Sequence, residues 1–482
     1  MKLVFGILLG LVLMMGCSNT TVTPLPPAII PTAATERAAP LTPSPAVTLP
    51  RRTATLVVVT PTPTIFPTPY AGTLTLTRRD STPGDCAGDF SKLASQGLEL
   101  FAFVPLAKCE DGGMAAFQNG EIGMFQIGAQ TYIAQSGLFN AAFSITEVTN
   151  PLAPQLIGVW DLPPESHTYD LKPFRQGDKH YLALGLDRNR KQPELPCGIV
   201  IVDVTNVRQP KIVTRLDGRN VGAPEPWCKV HTLEIDTDPQ GNATYLIVSD
   251  VDTYSARAVD IRDLQNAREV NFYHLHAHPH TAPEQPVLNY VHDSYIAKDK
   301  IYLANWLAGV VILDKQKFLA GEQQEPIIIK PTENVAPGGF HVHYVAPIAN
   351  GDFIFIEDEL NADNGIRLLD IRDPKNPKTV WVETNPGGVN APHNFVIRDD
   401  LLFVGWYNDG VKIFRFDMRD PNKPSLKQIA FQEVRADKNI SRERYFDGVW
   451  GVRVNDCVVK NVKRICVYAS DIAAGLIVVA LN

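Results

Sequence analysis

The chain has 482 residues, of which 45% are hydrophobic, and it carries a formal net charge of −7. This length and composition are sufficient for a large buried core. The acidic balance argues against a nucleic acid partner, because such partners are bound through an excess of basic groups on one face.

The N-terminus has the features of an export signal. Residues 3–16 are apolar behind Lys2, and this stretch is too short to cross a bilayer as a helix, so residues 1–16 are predicted to form a signal peptide. It ends at Met14-Met15-Gly16-Cys17, which resembles a bacterial lipoprotein cleavage box, with Met in place of the usual Leu three residues before the cysteine. We therefore expect Cys17 to be lipidated and to anchor the exported protein to the cell envelope, facing outside the cytoplasm. The alternative is an ordinary cleaved signal with a chance cysteine.

Residues 17–84 are rich in proline, threonine and alanine and contain few large apolar side chains. Such a segment cannot bury enough surface to offset the entropy of ordering. Its prolines favour extended polyproline II. The segment is predicted to be a disordered stalk that carries the following domain away from the membrane.

The rest of the chain, residues 85–482, is repetitive. A glycine, alternating apolar residues, an aspartate and a proline-bearing turn recur, as in Gly198-Ile-Val-Ile-Val-Asp203 and Gly365-Ile-Arg-Leu-Leu-Asp370, and seven copies can be counted. From Thr146, which takes the aspartate position in the first copy, the steps to the next five copies are 57, 57, 54, 56 and 47 residues. A period near fifty with strand-like alternation indicates propeller blades.

Each repeat divides into four predicted strands. In the sixth these are 394–397, 401–406, 411–416 and 426–432. The seventh copy ends after three strands, whereas a lone strand at 98–105 precedes the first copy. An N-terminal strand that completed the last blade would close the ring and remove the open sheet edges. The predicted fold is therefore all-β: a seven-bladed β-propeller of four-stranded antiparallel blades, with the last blade closed by an N-terminal strand.

The repeats resemble those of the LVIVD-repeat β-propeller family. The resemblance rests on Gly198–Asp203 and Gly365–Asp370, and on the closing segments Asp447-Gly-Val-Trp450 and Ala469-Ser-Asp471-Ile-Ala-Ala-Gly475. It covers roughly residues 110–482 and implies a seven-bladed propeller displayed at the cell surface. It implies little about activity.

Six cysteines remain beyond Cys17, and an even number in an exported chain suggests disulfides. Six cysteines allow fifteen connectivities. Proximity in the sequence favours the one that pairs Cys86 with Cys109, Cys197 with Cys228, and Cys457 with Cys466.

Histidines recur where the first strand of a blade begins, and acids recur where the second strand ends. Because strand direction alternates within a blade, both sets should meet at one mouth of the central channel. Imidazole with carboxylate suits a divalent transition metal. The alternative is that the histidines bond neighbouring backbone and carboxylate groups and are structural. The candidate metal ligands are His167, His231, His292, His341, His343, His393, Asp250, Glu357 and Asp471.

A second candidate metal site is the tract His274-Leu-His276-Ala-His278-Pro-His280. Alternation at period two would place these histidines on one side of an extended segment, and short His-rich tracts can bind transition metals. The competing interpretation is a solvated connector, because Pro279 interrupts a strand.

Two functions follow. The first is a cell-surface module, expected to be monomeric, that binds a protein, peptide or glycan through its rim loops, with 187–197 and 357–365 as contact loops. The alternative is a metal-dependent extracytoplasmic enzyme that uses the histidine-lined mouth. No catalytic residue is assigned, and the sequence names no cofactor beyond this candidate divalent metal.

Overall fold

The computed structural model describes fourteen stretches of the chain. They are residues 74–79, 92–106, 119–138, 141–162, 166–188, 197–225, 227–251, 253–274, 290–331, 335–336, 339–348, 351–385, 390–435 and 447–482. They lie within one compact unit, Pro67–Asn482. The predictions for Cys17, Cys86, Cys109, His276, His278, His280 and most of the stalk fall outside the described residues.

The described strands form seven antiparallel sheets arranged as a seven-bladed β-propeller, which confirms the predicted fold class. Blade 1 contains β4 (Asn119–Ile127), β5 (Gln130–Gly137), β6 (Ala142–Glu147) and β7 (Gln155–Asp161). Blade 2 contains β8 (Ser166–His167), β9 (Leu171–Gln176), β10 (Lys179–Arg188), β11 (Gly198–Asp203) and β12 (Lys211–Leu216). Blade 3 contains β13 (Val230–Thr237), β14 (Ala243–Asp250), β15 (Ser255–Asp260) and β16 (Arg268–His274).

Blade 4 contains β17 (Asp293–Ala297), β18 (Lys300–Ala304), β19 (Val310–Asp314), helix α1 (Lys315–Leu319) and β20 (Ile327–Ile329). Blade 5 contains β21 (Val342–Pro347), β22 (Phe353–Asp358), β23 (Ile366–Asp370) and β24 (Lys378–Glu383). Blade 6 contains β25 (Phe395–Arg398), β26 (Leu401–Trp406), β27 (Gly410–Asp417) and β28 (Ser425–Gln432). Blade 7 contains β29 (Val449–Val459), β30 (Val462–Asp471), β31 (Gly475–Leu481) and β3 (Leu98–Pro105).

The ring closes as predicted. Strand β3 pairs antiparallel with β31, with Leu98 opposite Leu481 and Pro105 opposite Gly475. The last blade therefore takes its outermost strand from the N-terminal side of the domain, which covers an edge that would otherwise expose unpaired backbone groups.

Two short strands extend the outer edges of blades 1 and 6. Strand β1 (Thr77–Arg78) pairs with β7, and β2 (Ser95–Gln96) pairs with β28. The β1 contact is reinforced by Arg79, whose guanidinium contacts the Asp161 carboxylate at 2.6 Å. Residues 77–79, which composition alone assigns to the stalk, thus belong to the propeller.

The core lies in the seams between blades. The third strands are buried on both faces, so they are apolar in sequence: β11, for example, is buried from Gly198 to Val202. Among the described residues, seven apolar clusters fill the seven seams, and an eighth lies at the channel mouth.

Two of the predicted disulfides are present. Cys197 joins Cys228 across blades 2 and 3 with Cα atoms 5.1 Å apart. Cys457 joins Cys466 within the β29–β30 hairpin with Cα atoms 5.8 Å apart. The described residues contain a single helix, α1, and no helix in them is long and apolar enough to cross a membrane.

Candidate functional site at the channel mouth

The first strands of successive blades contact one another around the channel, so the residues that open these strands converge at one end. His231, His292, His343 and His393 are brought together there from blades 3 to 6. The centroids of neighbouring rings are 4.4 Å apart between His231 and His292, 4.0 Å between His292 and His343, and 4.3 Å between His343 and His393. Four of the predicted ligands therefore form one arc of imidazoles.

Two aromatic rings continue this arc. Trp450 of blade 7 lies 4.1 Å from His393, and Tyr169 of blade 2 lies 4.9 Å from His231. The Tyr169 carbonyl accepts from the Glu121 backbone amide, as the Trp450 carbonyl accepts from that of Asn394. Tyr169 therefore occupies, in blade 2, the position that a histidine occupies in blades 3 to 6. We call those four residues, His231, His292, His343 and His393, the inner histidines. His167 lies two residues earlier, at the rim, with its Nδ1 3.3 Å from the Tyr169 hydroxyl.

Three of the four inner histidines are held through Nδ1. Nδ1 of His393 lies 2.7 Å from the Trp450 carbonyl, Nδ1 of His231 lies 3.3 Å from the Asp187 carboxylate, and Nδ1 of His343 contacts Glu357. Carboxylates and backbone carbonyls are the usual outer partners of metal-binding histidines, where they fix the ring and leave Nε2 for the ion. The Nε2 atoms of these three histidines accordingly face the centre of the mouth.

Glu359 occupies that centre. Its Oε2 is 3.5 Å from Nε2 of His343 and 4.0 Å from Nε2 of His292, and its Oε1 is 3.8 Å from Nε2 of His393. His292, His343 and Glu359 are all buried, and one ligand atom from each lies within 4.8 Å of the others. The arrangement is a set of two histidines and one carboxylate.

His393, beside this set, has a ring nitrogen without a donor. A carbonyl can only accept, so Nδ1 of His393 carries the proton and donates it to Trp450, and Nε2 is left as a bare lone pair. That Nε2 is buried, finds no donor among the described residues, and faces a carboxylate oxygen of Glu359. A buried polar atom without a partner needs an explanation, and a cation bound at the mouth would supply one.

Electrostatics keep the imidazoles neutral. Burial lowers the pKa of His393 to about 3 and holds the pKa values of His292 and His343 well below the usual histidine range. Burial raises the pKa of Glu359 to about 7, while the hydrogen bond from Tyr407 opposes that rise and Asp358 adds to it. A metal binds the neutral imidazole and the ionised carboxylate, so the histidines are already in the binding form.

The distances suit a transition metal. Nε2 of His231 lies 3.0 Å from Nε2 of His292, and two nitrogens that share an ion at about 2.0–2.1 Å are separated by roughly 3 Å. An ion held by His292, His343 and Glu359 has three protein ligands, as catalytic zinc sites do, with a further position for His231, water or a small ligand.

Glu359 is the functional residue that sequence reasoning missed. The prediction chose Glu357, which lies on β22 and contacts Nδ1 of His343 from outside the centre. Glu359 lies beyond the strand, in a turn where Asp358 accepts from the amides of Leu360 and Asn361. The alternation pattern of a strand does not extend to turn residues. The only sequence signal for Glu359 was therefore its position directly after a second strand.

Other predicted ligands lie outside the trio of His292, His343 and Glu359. Asp250 accepts from the amides of Cys228, Lys229 and Thr253. Asp471 pairs with Arg435 at 2.7 Å. His341 is at the rim, 3.5 Å from Asp358, and His274 ends β16 opposite Ser255. Asp250 and Asp471 are thus engaged in holding loops, because each caps a turn that follows its own strand.

Two aromatic residues reach the trio from strained backbone positions. Trp306 (φ 49°) and Tyr407 (φ 33°) follow the second strands of blades 4 and 6 and form matching bridges to Val342 and Val449. Trp306 stacks on His292 with centroids 4.9 Å apart and an interplanar angle of 14°. Tyr407 donates to Oε1 of Glu359 at 2.6 Å. Strained residues of this kind cluster at functional sites.

Comparisons with known proteins add a structural likeness. No family model and no curated protein matches the chain. Among solved structures, a "putative 6-phosphogluconolactonase" from Bacteroides fragilis is similar, with a TM-score of 0.43 and 14% identity over 68% of this chain and 87% of that chain.

Proposed function

We propose that this chain is a cell-surface lipoprotein of the LVIVD-repeat type whose propeller binds a divalent transition metal ion at the channel mouth and uses it for chemistry outside the cytoplasm. The observation that carries the metal proposal is the buried trio of His292, His343 and Glu359, beside which Nε2 of His393 lies buried without a donor among the described residues. The anchor proposal rests on Cys17 and the proline-rich stalk alone.

A divalent ion would also balance the buried charge. Glu357 and Glu359 are both buried and lie on two sides of His343. Burial raises the pKa of Glu357 well above its usual range, because an isolated buried carboxylate is costly. An ion of charge +2 would offset two ionised carboxylates, and with three protein ligands it would keep a further position for water or a small ligand.

The test is elemental analysis and calorimetric titration of protein made without an affinity tag. We expect one ion per chain, and we expect His343→Ala to abolish binding because it removes a central ligand. His180→Ala is the matched control, since His180 lies on β10 away from the mouth. Less than about a tenth of an equivalent of any transition metal after reloading would overturn the proposal.

The anchor has its own test. Replacing Cys17 by serine removes the acceptor for lipid, so we expect the exported protein to leave the membrane fraction and appear in the soluble fraction. A Cys17→Ser protein that stays with the membrane would contradict lipidation at this residue and leave the metal proposal untouched.

A second candidate, binding of a cell-surface protein, is favoured by the β29–β30 hairpin. Its tip exposes Val458 (63%) and Val462 (52%), which are the two most exposed large apolar residues described, and the Cys457–Cys466 disulfide braces it. Two exposed apolar side chains at a braced tip offer a small apolar surface to a partner. The predicted contact loop 357–365 instead supplies Glu359, so the hairpin takes its place in this hypothesis.

The hairpin hypothesis predicts loss of adhesion to the producing cell's surface proteins in a Val458→Asn, Val462→Asn double variant. Leu152→Asn is the control, because Leu152 is also exposed (42%) but lies in the β6–β7 turn of blade 1. Equal capture of partners by the double variant and the control would remove this hypothesis.

A further inference from the structure

The outer strand of blade 4 is much shorter than the outer strands of the other blades. Strand β20 has 3 residues, whereas the outer strands of the other six blades have between 6 and 8. Helix α1 occupies part of the connection from β19 to β20, where the other blades continue into a longer outer strand. Blade 4 therefore covers less of the seam that it shares with blade 5.

This seam is filled at one end of β20 and open at the other. Ile327 and Ile329 are two residues apart and lie on the same face of the strand. Ile329 is fully buried in the apolar cluster that blades 4 and 5 share, whereas Ile327 is 41% exposed. The proline-bearing turn between β23 and β24 of blade 5 forms the facing wall. The result is a groove of about 690 Å³, which is large enough for part of an extended peptide.

The groove is basic, although the chain as a whole has a net charge of −7. Lys330, Lys375 and Lys378 line it and are exposed, and no described residue of its lining is acidic. The acids of the neighbouring turn are already engaged, because Asp370 pairs with Arg372 at 2.6 Å and Asp373 accepts from the Asn376 amide at 2.7 Å. The three ammonium groups therefore favour an anionic partner.

The edge of β20 can also take a further strand. β20 is the last strand of its sheet, and within the described part of the chain its backbone bonds only to β19. Such an edge presents unpaired N–H and C=O groups to another chain. The molecule itself shows that outer edges of its blades accept an added strand, since β1 pairs with β7 and β2 pairs with β28.

We propose that the groove between blades 4 and 5 binds an extended acidic segment of a partner protein, which adds to β20 as a further strand. Backbone hydrogen bonds to β20 hold the segment, and its carboxylates pair with the lysines of the groove. The stems of its side chains cover Ile327. A second copy of this chain does not fit as the partner, because two lysine-lined grooves repel each other. The proposal is independent of the metal site.

Fluorescence anisotropy tests this proposal with the full-length protein and a labelled peptide of alternating glutamate and valine. We expect saturable binding that weakens as salt is added. The double variant Lys375→Glu, Lys378→Glu should bind at least about tenfold more weakly, because each change replaces an attraction by a repulsion. The matched control is Lys423→Glu, Lys427→Glu, which makes the same change of charge at exposed positions of blade 6, where β2 already covers the outer edge. The control should bind like the natural protein.

A second peptide separates strand addition from simple charge attraction. The same sequence with every backbone nitrogen methylated keeps its carboxylates but cannot donate to β20, so we expect it not to bind. Equal affinity of the two peptides, or tighter binding of dextran sulfate than of the unmodified peptide, would show a general site for anionic polymers and overturn the proposal. Equal affinity of the two double variants, or no saturable binding of the unmodified peptide below about 1 mM, would overturn it as well.

Discussion

Glu359 has one of its two oxygens already engaged. The Tyr407 hydroxyl donates to Oε1 at 2.6 Å, and Oε2 faces the Nε2 atoms of His292 and His343. A carboxylate held in this way offers an ion a single oxygen in a fixed direction. Tyr407 is fully buried and its backbone is in the left-handed region, so the ring cannot swing away without displacing its neighbours. We therefore regard Tyr407 as a positioning residue for the metal site.

Replacing Tyr407 by phenylalanine removes the hydroxyl and leaves the ring. We expect metal affinity to fall about 10–100-fold, as is typical when a hydrogen-bond partner of a metal ligand is lost. Competition against a chromophoric chelator measures it. Tyr468→Phe is the matched control, since Tyr468 is also buried but packs in the seam between blades 7 and 1. Equal affinities of the two variants would contradict the positioning role.

At the residue scale, the sequence predicted the site in part. His231, His292, His343 and His393 were identified because each repeats at the start of a blade. His167 was chosen for blade 2, but its inner strand is broken between β8 and β9, and Tyr169 in the gap takes the matching position. Such a break depends on how neighbouring blades pack, and no residue pattern within blade 2 predicts it.

The glycine of the repeat allows a third strand to begin very close to the backbone of the outer strand of its blade. In five blades a glycine with positive φ precedes or opens the third strand, and an added Cβ would lie within 2.3 Å of a carbonyl oxygen of the facing outer strand. Only glycine allows this approach. These positions are Gly198, Gly309, Gly365, Gly410 and Gly475.

A pair of substitutions separates that close approach from backbone strain. Gly365 and Gly177 have almost the same φ, 57° and 58°, but a Cβ at Gly365 would lie 2.0 Å from the Glu383 carbonyl, whereas Gly177 has nothing within 4 Å. Alanine at Gly177 should lower the free energy of unfolding by about 1–2 kcal/mol through strain alone. Alanine at Gly365 should cost a further ~1–3 kcal/mol through overpacking.

Urea denaturation of the two variants and the natural protein measures this difference. Gly365→Ala should be the less stable of the two variants, because both carry the same backbone strain and only Gly365→Ala carries the clash. A Gly365→Ala protein as stable as Gly177→Ala would show that blade 5 relaxes around the methyl group. Close approach to the outer strand would then no longer explain why the repeat requires glycine.

At the element scale, the four strands of each repeat were predictable and the additions to them were not. In blade 6 the predicted strands agree with β25–β28 to within one residue at every end. Strands β1 and β2 have two residues each, which is too short for any alternation pattern. Helix α1 begins where Asp314 caps the Lys317 amide, and it replaces the aspartate–proline turn found at this point in blades 5 and 6.

At the scale of the whole molecule, stability depends on closing the ring. Each blade buries its two faces only against its neighbours, so an incomplete blade 7 would open two seams at once. Strand β3 contributes Leu98 to the seam with blade 6 and Val104 to the seam with blade 1. The sequence predicted this closure because the last repeat lacks a strand and the first repeat is preceded by one.

Truncation from the N-terminus tests how much each added strand contributes. A protein that begins at residue 74 keeps β1, one that begins at residue 81 loses only β1, and one that begins at residue 107 also loses β2 and β3. Loss of β1 and the residues before it removes two paired residues, the Arg79–Asp161 contact and the packing of Leu74 and Leu76 against the seam between blades 1 and 2. We expect that to lower the free energy of unfolding by about 2–4 kcal/mol, because an exposed ion pair with a hydrogen bond or two contributes about 1 kcal/mol and two partly buried leucines contribute the rest.

Loss of β3 should destabilise the ring far more than loss of β1. It leaves β31 unpaired along the register from Leu98–Leu481 to Pro105–Gly475, and it exposes apolar residues of two seams. We expect this shortest protein to lose its single cooperative transition and to self-associate through the open edge, as seen by calorimetry and light scattering. Addition of a peptide spanning residues 92–106 should restore the monomer, since it supplies the missing strand. A protein beginning at residue 107 that unfolds cooperatively as a monomer would contradict this prediction. It would show that the ring closes without β3 and that the N-terminal strand is not required for its stability.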